Sequence, residues 1–189
     1  CRLLRGGASG RVRRSCGPWG FLHSAAHRVA VVKLLAQRSI SCGACAVPYR
    51  GPMEIGIVIE GQMGLSYAQQ LVLAVRAEAL GFAAFYRTDH YESFPGPDDQ
   101  STTDAWAVLA GLARETRRIA LGTLVSPVTF RHPGNLAKVV ATVQEMAGRR
   151  VHAGIGAGWH ASEHRRHGFA FPEMRDRADM LEEQLQVVR

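Results

Sequence analysis

The chain has 189 residues, a formal net charge of +7 and a hydrophobic content of 47%. No apolar run is long enough to cross a bilayer, so the sequence excludes a membrane span. Residues 1–52 carry nine basic and no acidic side chains, whereas residues 53–189 carry 14 basic and 16 acidic ones. Because the larger part of the chain is slightly acidic, nucleic-acid binding is not expected.

Residues 1–52 differ from the rest of the chain in more than charge. They contain all four cysteines, and the first methionine is Met53. Three interpretations stay open for this segment. Its Arg-rich, acid-free composition is typical of a mitochondrial transit peptide; its CGAC pair fits a redox motif or half of a zinc site; and the late methionine fits translation upstream of a start codon. We favour the third, with residues 1–52 as a basic leader outside the folded domain.

From residue 54 onward, two sequence patterns alternate. Short apolar runs rich in β-branched residues predict buried parallel strands at 54–60, 82–88, 118–125 and 150–156. Apolar residues at helical spacing predict helices at 66–80, 103–115, 133–146 and 173–188, the first of them ending at Gly81. This alternation predicts a parallel sheet covered by helices, either a doubly wound open sheet or a (β/α)8 barrel.

Both architectures place their chemistry at the carboxyl ends of the strands. Polar or glycine-rich sequence follows each predicted strand at this end. The second strand ends in RTDHY, which brings Asp89 and His90 to that face. The other strands are followed by EGQ at 60–62, VSPVTFRHP at 125–133 and GIGAGWHASEH at 154–164. We therefore predict one site that draws on all four strand ends.

The last of these stretches resembles two known motifs without matching either well. Its glycines, Gly154, Gly156 and Gly158, follow the spacing G-x-G-x-G, which is not the G-x-G-x-x-G of dinucleotide-binding folds. They still allow a ligand to approach the backbone closely. HASEH, residues 160–164, matches the H-x-x-E-H pattern of inverted zinc peptidases. A helix directly after Gly158 and Trp159 is not favoured, so no metal ligands are predicted.

Three stretches carry a family resemblance: GFAAFYRTDHY, TDAWAVLAGLARETRRIALGTLVSPVTFRHPGNLAK and RVHAGIGAGWHASEH. They resemble the luciferase-like monooxygenase superfamily, and most of all its coenzyme F420-dependent oxidoreductases. The resemblance runs from Met53 to Arg189 and implies a (β/α)8 TIM barrel of the bacterial luciferase-like type. Because a TIM barrel typically needs about 250 residues, we expect residues 53–189 to form its N-terminal half, with about the first four βα units.

The resemblance also implies a cofactor site. Asp89 and His90 would form the catalytic pair and contact the deazaflavin, with His90 exchanging a proton and Asp89 holding its position and tautomer. A bulge in the third strand would carry a non-prolyl cis peptide between Leu124 and Val125, behind the cofactor ring. The loop after the fourth strand would add three cofactor contacts, at Ala157, Gly158 and Trp159.

We therefore expect a cytoplasmic oxidoreductase in which coenzyme F420 exchanges hydride with a small organic substrate, without membrane or nucleic-acid partners and with a homodimer as one expected assembly. The alternative with the same fold is an FMN-dependent monooxygenase, in which reduced flavin activates oxygen. An alternative of another class is an inactive, truncated fragment. The related sugar-phosphate dehydrogenases carry a glutamate where this chain has Trp159, which argues against sugar phosphates and favours a more apolar, planar substrate.

Overall fold

The computed structural model describes residues 54–94 and 100–188, so the prediction for residues 1–52 lies outside the described residues. Within the described ranges, four parallel strands form one sheet in the order β1-β2-β3-β4. The strands are β1 (Gly56–Ile59), β2 (Ala84–Arg87), β3 (Ala120–Pro127) and β4 (Val151–Gly156). The helices are α1 (Tyr67–Ala79), α2 (Ala105–Glu115), α3 (Pro133–Ala147), α4 (Ala161–His167) and α5 (Met174–Val187). The predicted alternation of parallel strands and helices is confirmed, but the expectation of no helix directly after Trp159 is wrong, because α4 begins at Ala161.

The main hydrophobic core lies between one face of this sheet and the helices that cover it. Ile59, Phe85 and Leu121 project from three neighbouring strands and pack in one cluster with Leu109 and Leu112 of α2. All five side chains are fully buried. Because successive residues of a strand point to opposite faces, the alternate positions form a second, smaller cluster made of Val58, Ala84 and Tyr86.

The helix ends follow local signals in the sequence. Ser66 caps α1 through a reciprocal pair of hydrogen bonds with Gln69. The helix ends before Gly81, as predicted, and this glycine has a φ of 82°, which a residue without a Cβ adopts most easily. Among the described residues, no helix has the length and apolar composition that a bilayer crossing needs.

Glu78, in the last turn of α1, fixes the chain where it enters β3. Its carboxylate accepts hydrogen bonds from the backbone N–H groups of Arg117, Arg118 and Ile119, at 2.9, 2.7 and 3.0 Å. Burial alone would raise the pKa of Glu78, but these three donors and the charge of Arg118 outweigh it and lower that pKa. The carboxylate therefore stabilises the folded state in its ionised form.

We predict that Glu78→Gln lowers the free energy of unfolding at pH 7 by about 1 kcal/mol, because the backbone donors lose an ionised acceptor. The folded pKa lies below the unfolded one, so this contribution is complete above about pH 5 and disappears as the pH falls through the folded pKa. Urea denaturation at pH 7 and at pH 3 measures the difference between the proteins. The exposed Glu145→Gln is the control, and a Glu78→Gln deficit that is unchanged at pH 3 would contradict the prediction.

Candidate functional site

Three ionisable side chains, Arg87, Asp89 and His90, lie at the end of β2, and each has different surroundings. Arg87 is fully buried; its guanidinium donates to the Gln70 side chain at 3.2 Å and to the Thr103 carbonyl at 2.8 Å. Burial lowers the pKa of Arg87 to about 10, although the nearby carboxylates Asp89 and Asp104 act in the opposite direction. Arg87 thus ties β2 to α1 and to the segment before α2, and its role is structural.

Asp89 belongs to a second buried network. Its carboxylate accepts a hydrogen bond from Ser126 Oγ at 2.6 Å and one from Arg131 Nη1 at 2.5 Å. Arg131 also pairs with Asp104, and the Ser126 hydroxyl accepts from Trp106 Nε1 at 3.0 Å. Burial alone would lower the pKa of Arg131, but the two carboxylates raise it above its usual value. The network therefore joins the ends of β2 and β3 to the start of α2.

His90 is held by Glu163 of α4. His90 Nδ1 lies 2.9 Å from Glu163 Oε2, and the backbone N–H groups of Tyr91 and Glu92 donate to Glu163 Oε1, the second of them at 3.2 Å. Because an ionised carboxylate only accepts hydrogen bonds, Nδ1 is the donor. The contact leaves Nε2 as the ring nitrogen through which His90 can exchange a proton.

The ionisation of Glu163 follows from these contacts. Its side chain is fully buried, and burial alone would raise the pKa of this carboxyl. The hydrogen bond from His90, the charge of His90 and the two backbone donors outweigh burial and lower that pKa. Glu163 is therefore a buried carboxylate that stays ionised and fixes the loop after β2.

The predicted contact between Asp89 and His90 is not formed, and this part of the prediction needs correction. The carboxylate that orients His90 is Glu163, whereas Asp89 accepts a hydrogen bond from Ser126 and forms an ion pair with Arg131. Consecutive side chains at the end of a strand point to opposite sides, so Asp89 points toward β3 and His90 toward α4. The predicted contacts of Asp89 and His90 with a cofactor stay predictions.

The predicted bulge in the third strand is present. The peptide bond between Leu124 and Val125 is cis, as expected. The register between β3 and β4 shifts between Thr123 and Ser126, and Val125 is 36% exposed. The irregular segment thus presents an apolar side chain near the carboxyl end of β3.

The two glycines of β4 lie against this bulge. A Cβ built on Gly154 would lie 2.3 Å from the carbonyl oxygen of Thr123, and one on Gly156 would lie 2.7 Å from Val125 Cγ2. The backbone contact makes glycine necessary at position 154, whereas a side chain at position 156 would have to displace Val125. Gly158, with a φ of 80°, turns the chain from β4 toward α4.

An aromatic group lies beside His90. Trp159 is 61% exposed, and its ring centroid lies 6.1 Å from that of His90, 5.2 Å from Phe94 and 4.9 Å from His160. The Phe94 and His90 centroids are 4.4 Å apart. The exposed indole gives the site an apolar wall that a planar ligand can cover.

The two histidines of HASEH do not converge on one point. His164 Nδ1 donates to the backbone carbonyl of His160 at 2.8 Å, so its Nε2 accepts from the Thr129 hydroxyl at 2.6 Å. The ring is buried next to Phe130 and Phe171. The residues that do come together are His90, His160 and Glu163, whose ligand-type atoms all lie within 4.8 Å of one another.

The sequence patterns do not predict the side chains that bind His90 and Asp89. Glu163 was considered only as part of a zinc-peptidase pattern, and Arg131 and Ser126 only as polar residues after a strand. The sequence does contain one signal for the role of Glu163: it is an acidic residue between two histidines, a few positions after Gly158. Its actual contact is with a loop about 70 residues earlier in the chain, and only the tertiary structure reveals it.

The fold and the site define a parallel α/β protein with polar groups gathered at the carboxyl ends of its strands, the arrangement of barrel enzymes. Comparison with known families narrows this class. Residues 53–189 match the family described as "Luciferase-like monooxygenase", and the chain belongs to it.

Among curated proteins, the chain is similar to an F420-dependent glucose-6-phosphate dehydrogenase of Amycolatopsis mediterranei (strain U-32), with 30% identity over 119 residues. It is 34% identical over 119 residues to a protein of the same name from Microbacterium testaceum (strain StLB037). The alignments cover 61% and 62% of this chain. They cover 35% of each relative, so the chain spans about a third of the length of these curated relatives.

The chain is also similar to solved structures. An F420-dependent secondary alcohol dehydrogenase in complex with an F420-acetone adduct has a TM-score of 0.60 and 28% identity, covering 67% of this chain and 38% of that one. The FMN-bound oxygenating constituent of 3,6-diketocamphane monooxygenase from Pseudomonas putida has a TM-score of 0.60 and 22% identity. The match covers 72% of this chain and 38% of that one, and at this identity it is evidence for the fold alone. The predicted family and the luciferase-like barrel type are confirmed.

We predict that Asp89→Asn lowers the free energy of unfolding by roughly 2–3 kcal/mol, because it leaves Arg131, whose side chain is 13% exposed, without its full counter-charge. Combining it with Arg131→Met should cost less than the sum of the two single changes, since both remove the same contact. Urea denaturation of the three variants gives the coupling. The exposed Asp179→Asn is the control, and strictly additive losses would contradict the assigned network.

Proposed function

We propose that this chain is part of an oxidoreductase in which coenzyme F420 exchanges hydride with a small organic substrate while His90 exchanges the accompanying proton. The observation that carries the proposal is the orientation of His90. Glu163 binds its Nδ1 at 2.9 Å, and the side chain, 10% exposed, lies beside the exposed Trp159 at the carboxyl end of β2. Family membership and the F420-dependent relatives support this choice.

The residues present fit a planar cofactor ring. Val125 on the bulge and Trp159 on the loop after β4 are both exposed apolar side chains near the strand ends, where barrel enzymes bind their ligands. Gly158, next to Trp159, adds a backbone position without a side chain. We propose that Val125 and its neighbour Leu124 lie behind the ring, and that Ala157, Gly158 and Trp159 contact it.

The chemistry that the deazaflavin supplies when it is bound is the carriage of a hydride. The protein's part is to hold the reacting groups and to move a proton. His90 Nε2 donates or accepts that proton, and Glu163 keeps the Nδ1 hydrogen in place so that the ring has one orientation and one tautomer. Asp89 and Arg131 support the loop from behind and keep the ends of β2 and β3 together.

The surroundings of His90 also favour one class of substrate. A sugar phosphate needs charged and hydrogen-bonding partners, whereas the group next to His90 is the exposed indole of Trp159, 6.1 Å away between ring centroids. We therefore propose an apolar alcohol or ketone. The likeness to an alcohol dehydrogenase bound to an F420-acetone adduct supports this proposal. The glucose-6-phosphate substrate is a property of the curated relatives, and we do not propose it for this chain.

We predict that His90→Ala lowers kcat by about 10²- to 10⁴-fold, the usual contribution of a general acid or base, and changes the Kd for F420 by less than about threefold. Fluorescence titration gives the Kd, and F420 absorbance gives the rate with secondary alcohols. His167→Ala, an exposed histidine on α4, is the matched control. Equal losses in rate and affinity would mean that His90 only binds.

The choice of cofactor has its own measurement. We predict that the chain binds F420 at least about tenfold more tightly than FMN, a difference of roughly 1.4 kcal/mol. Titrations with both compounds are followed by an oxygen-electrode assay with reduced FMN. Tighter FMN binding with oxygen uptake would favour the monooxygenase alternative, and failure to bind either compound would favour the inactive fragment. Each of these outcomes contradicts the proposal.

A further inference from the structure

We infer that His90, His160 and Glu163 form a binding site for a divalent transition-metal ion, of which Zn²⁺ is the best match. The three side chains come from two places in the chain, the loop after β2 and the start of α4. Each offers one ligand atom, and these atoms all lie within 4.8 Å of one another. Two imidazoles and one carboxylate are a donor set that Zn²⁺ binds well.

Two of the three distances between donor atoms are close to those around a tetrahedral ion. With bonds of about 2.0–2.2 Å to nitrogen and oxygen, neighbouring ligand atoms of Zn²⁺ lie about 3.3–3.6 Å apart. Here His90 Nδ1 lies 2.9 Å from Glu163 Oε2, and His160 Nδ1 lies 3.7 Å from the same oxygen. Shifts of about half an ångström would bring both pairs to the ideal spacing.

A separate observation points to a ligand at this position. His160 Nδ1 is buried and forms no hydrogen bond, although buried polar atoms nearly always have a partner. The nearest acceptor is Glu92 Oε1 at 3.4 Å. Glu92 is itself held by Ser162 at 2.7 Å and by Arg166 at 3.2 Å. A cation between His160, Glu163 and Glu92 would use the free nitrogen and be attracted by both carboxylates.

The site differs from the one suggested by the H-x-x-E-H pattern. That pattern would use both histidines of HASEH, but His164 is committed to the Thr129 hydroxyl and to the carbonyl of His160. His90, far away in the sequence, replaces it. The site therefore has no counterpart in a local sequence motif.

Metal binding would have a consequence that rests on the proposed function. His90 Nδ1 can coordinate an ion only after its hydrogen has moved to Nε2 or to solvent, and the contact with Glu163 is then lost. With Nε2 protonated and the ring fixed by the metal, His90 no longer accepts a proton from a substrate. We infer that the ion acts as an inhibitor of the site.

The test of the metal site uses no cofactor. ZnCl2 is titrated calorimetrically into the chain with all four cysteines, which lie in residues 1–52, replaced by serine, and without an affinity tag. We expect one ion per chain with a Kd in the micromolar range or below. His160→Asn should weaken binding by about tenfold or more, as loss of a metal-supporting group does, and His167→Asn on the same helix should leave it unchanged.

Two further measurements keep the result unambiguous. Glu163→Gln should also weaken Zn²⁺ binding, with its fold checked by circular dichroism, while MgCl2 should bind at least about a hundredfold more weakly because Mg²⁺ prefers oxygen ligands. Undiminished binding by His160→Asn, or equal affinity for Mg²⁺ and Zn²⁺, would overturn the inference. If F420 fails to bind while the Zn²⁺ isotherm stands, only the proposed function is lost.

Discussion

The buried carboxylate of Glu163 is the contact on which the rest of the site depends. Burying a carboxylate is unfavourable unless donors replace the lost water, and here the donors come from the imidazole of His90 and the N–H groups of Tyr91 and Glu92. One side chain of α4 therefore determines the path of the loop after β2. It also sets the orientation of His90, because moving Nδ1 away would leave the buried charge with only its two backbone donors.

A second constraint acts through the backbone of β3 and β4. β3 approaches β4 so closely that position 154 has no room for a Cβ beside the Thr123 carbonyl, and Val125 occupies the space next to position 156. Glycines that look like a ligand-binding fingerprint are therefore explained by the sheet itself. The bulge in β3 presents Val125 to the surface, so the packing requirement and the proposed cofactor face have one structural cause.

The proposed proton exchange and the proposed metal site use the same atoms in exclusive ways. Proton exchange needs His90 Nδ1 to donate to Glu163, and metal binding needs that nitrogen unprotonated. The free Nδ1 of His160 and the carboxylate of Glu92 add the attraction for a cation. The environment that orients His90 is thus also suited to a competing ion, because buried carboxylates near imidazoles attract protons and metals alike.

The sequence by itself determined the alternation of strands and helices, since apolar periodicity and helix caps such as Ser66 and Gly81 are local properties. It also placed Asp89 and His90 at the active end of the sheet and, through the family resemblance, the cis peptide at Leu124. Only the tertiary structure decided the partners: Glu163 for His90, and Arg131 with Ser126 for Asp89. Such contacts join residues about 40 to 70 positions apart, and their geometry depends on how parallel strands bring distant loops together, which no local pattern records.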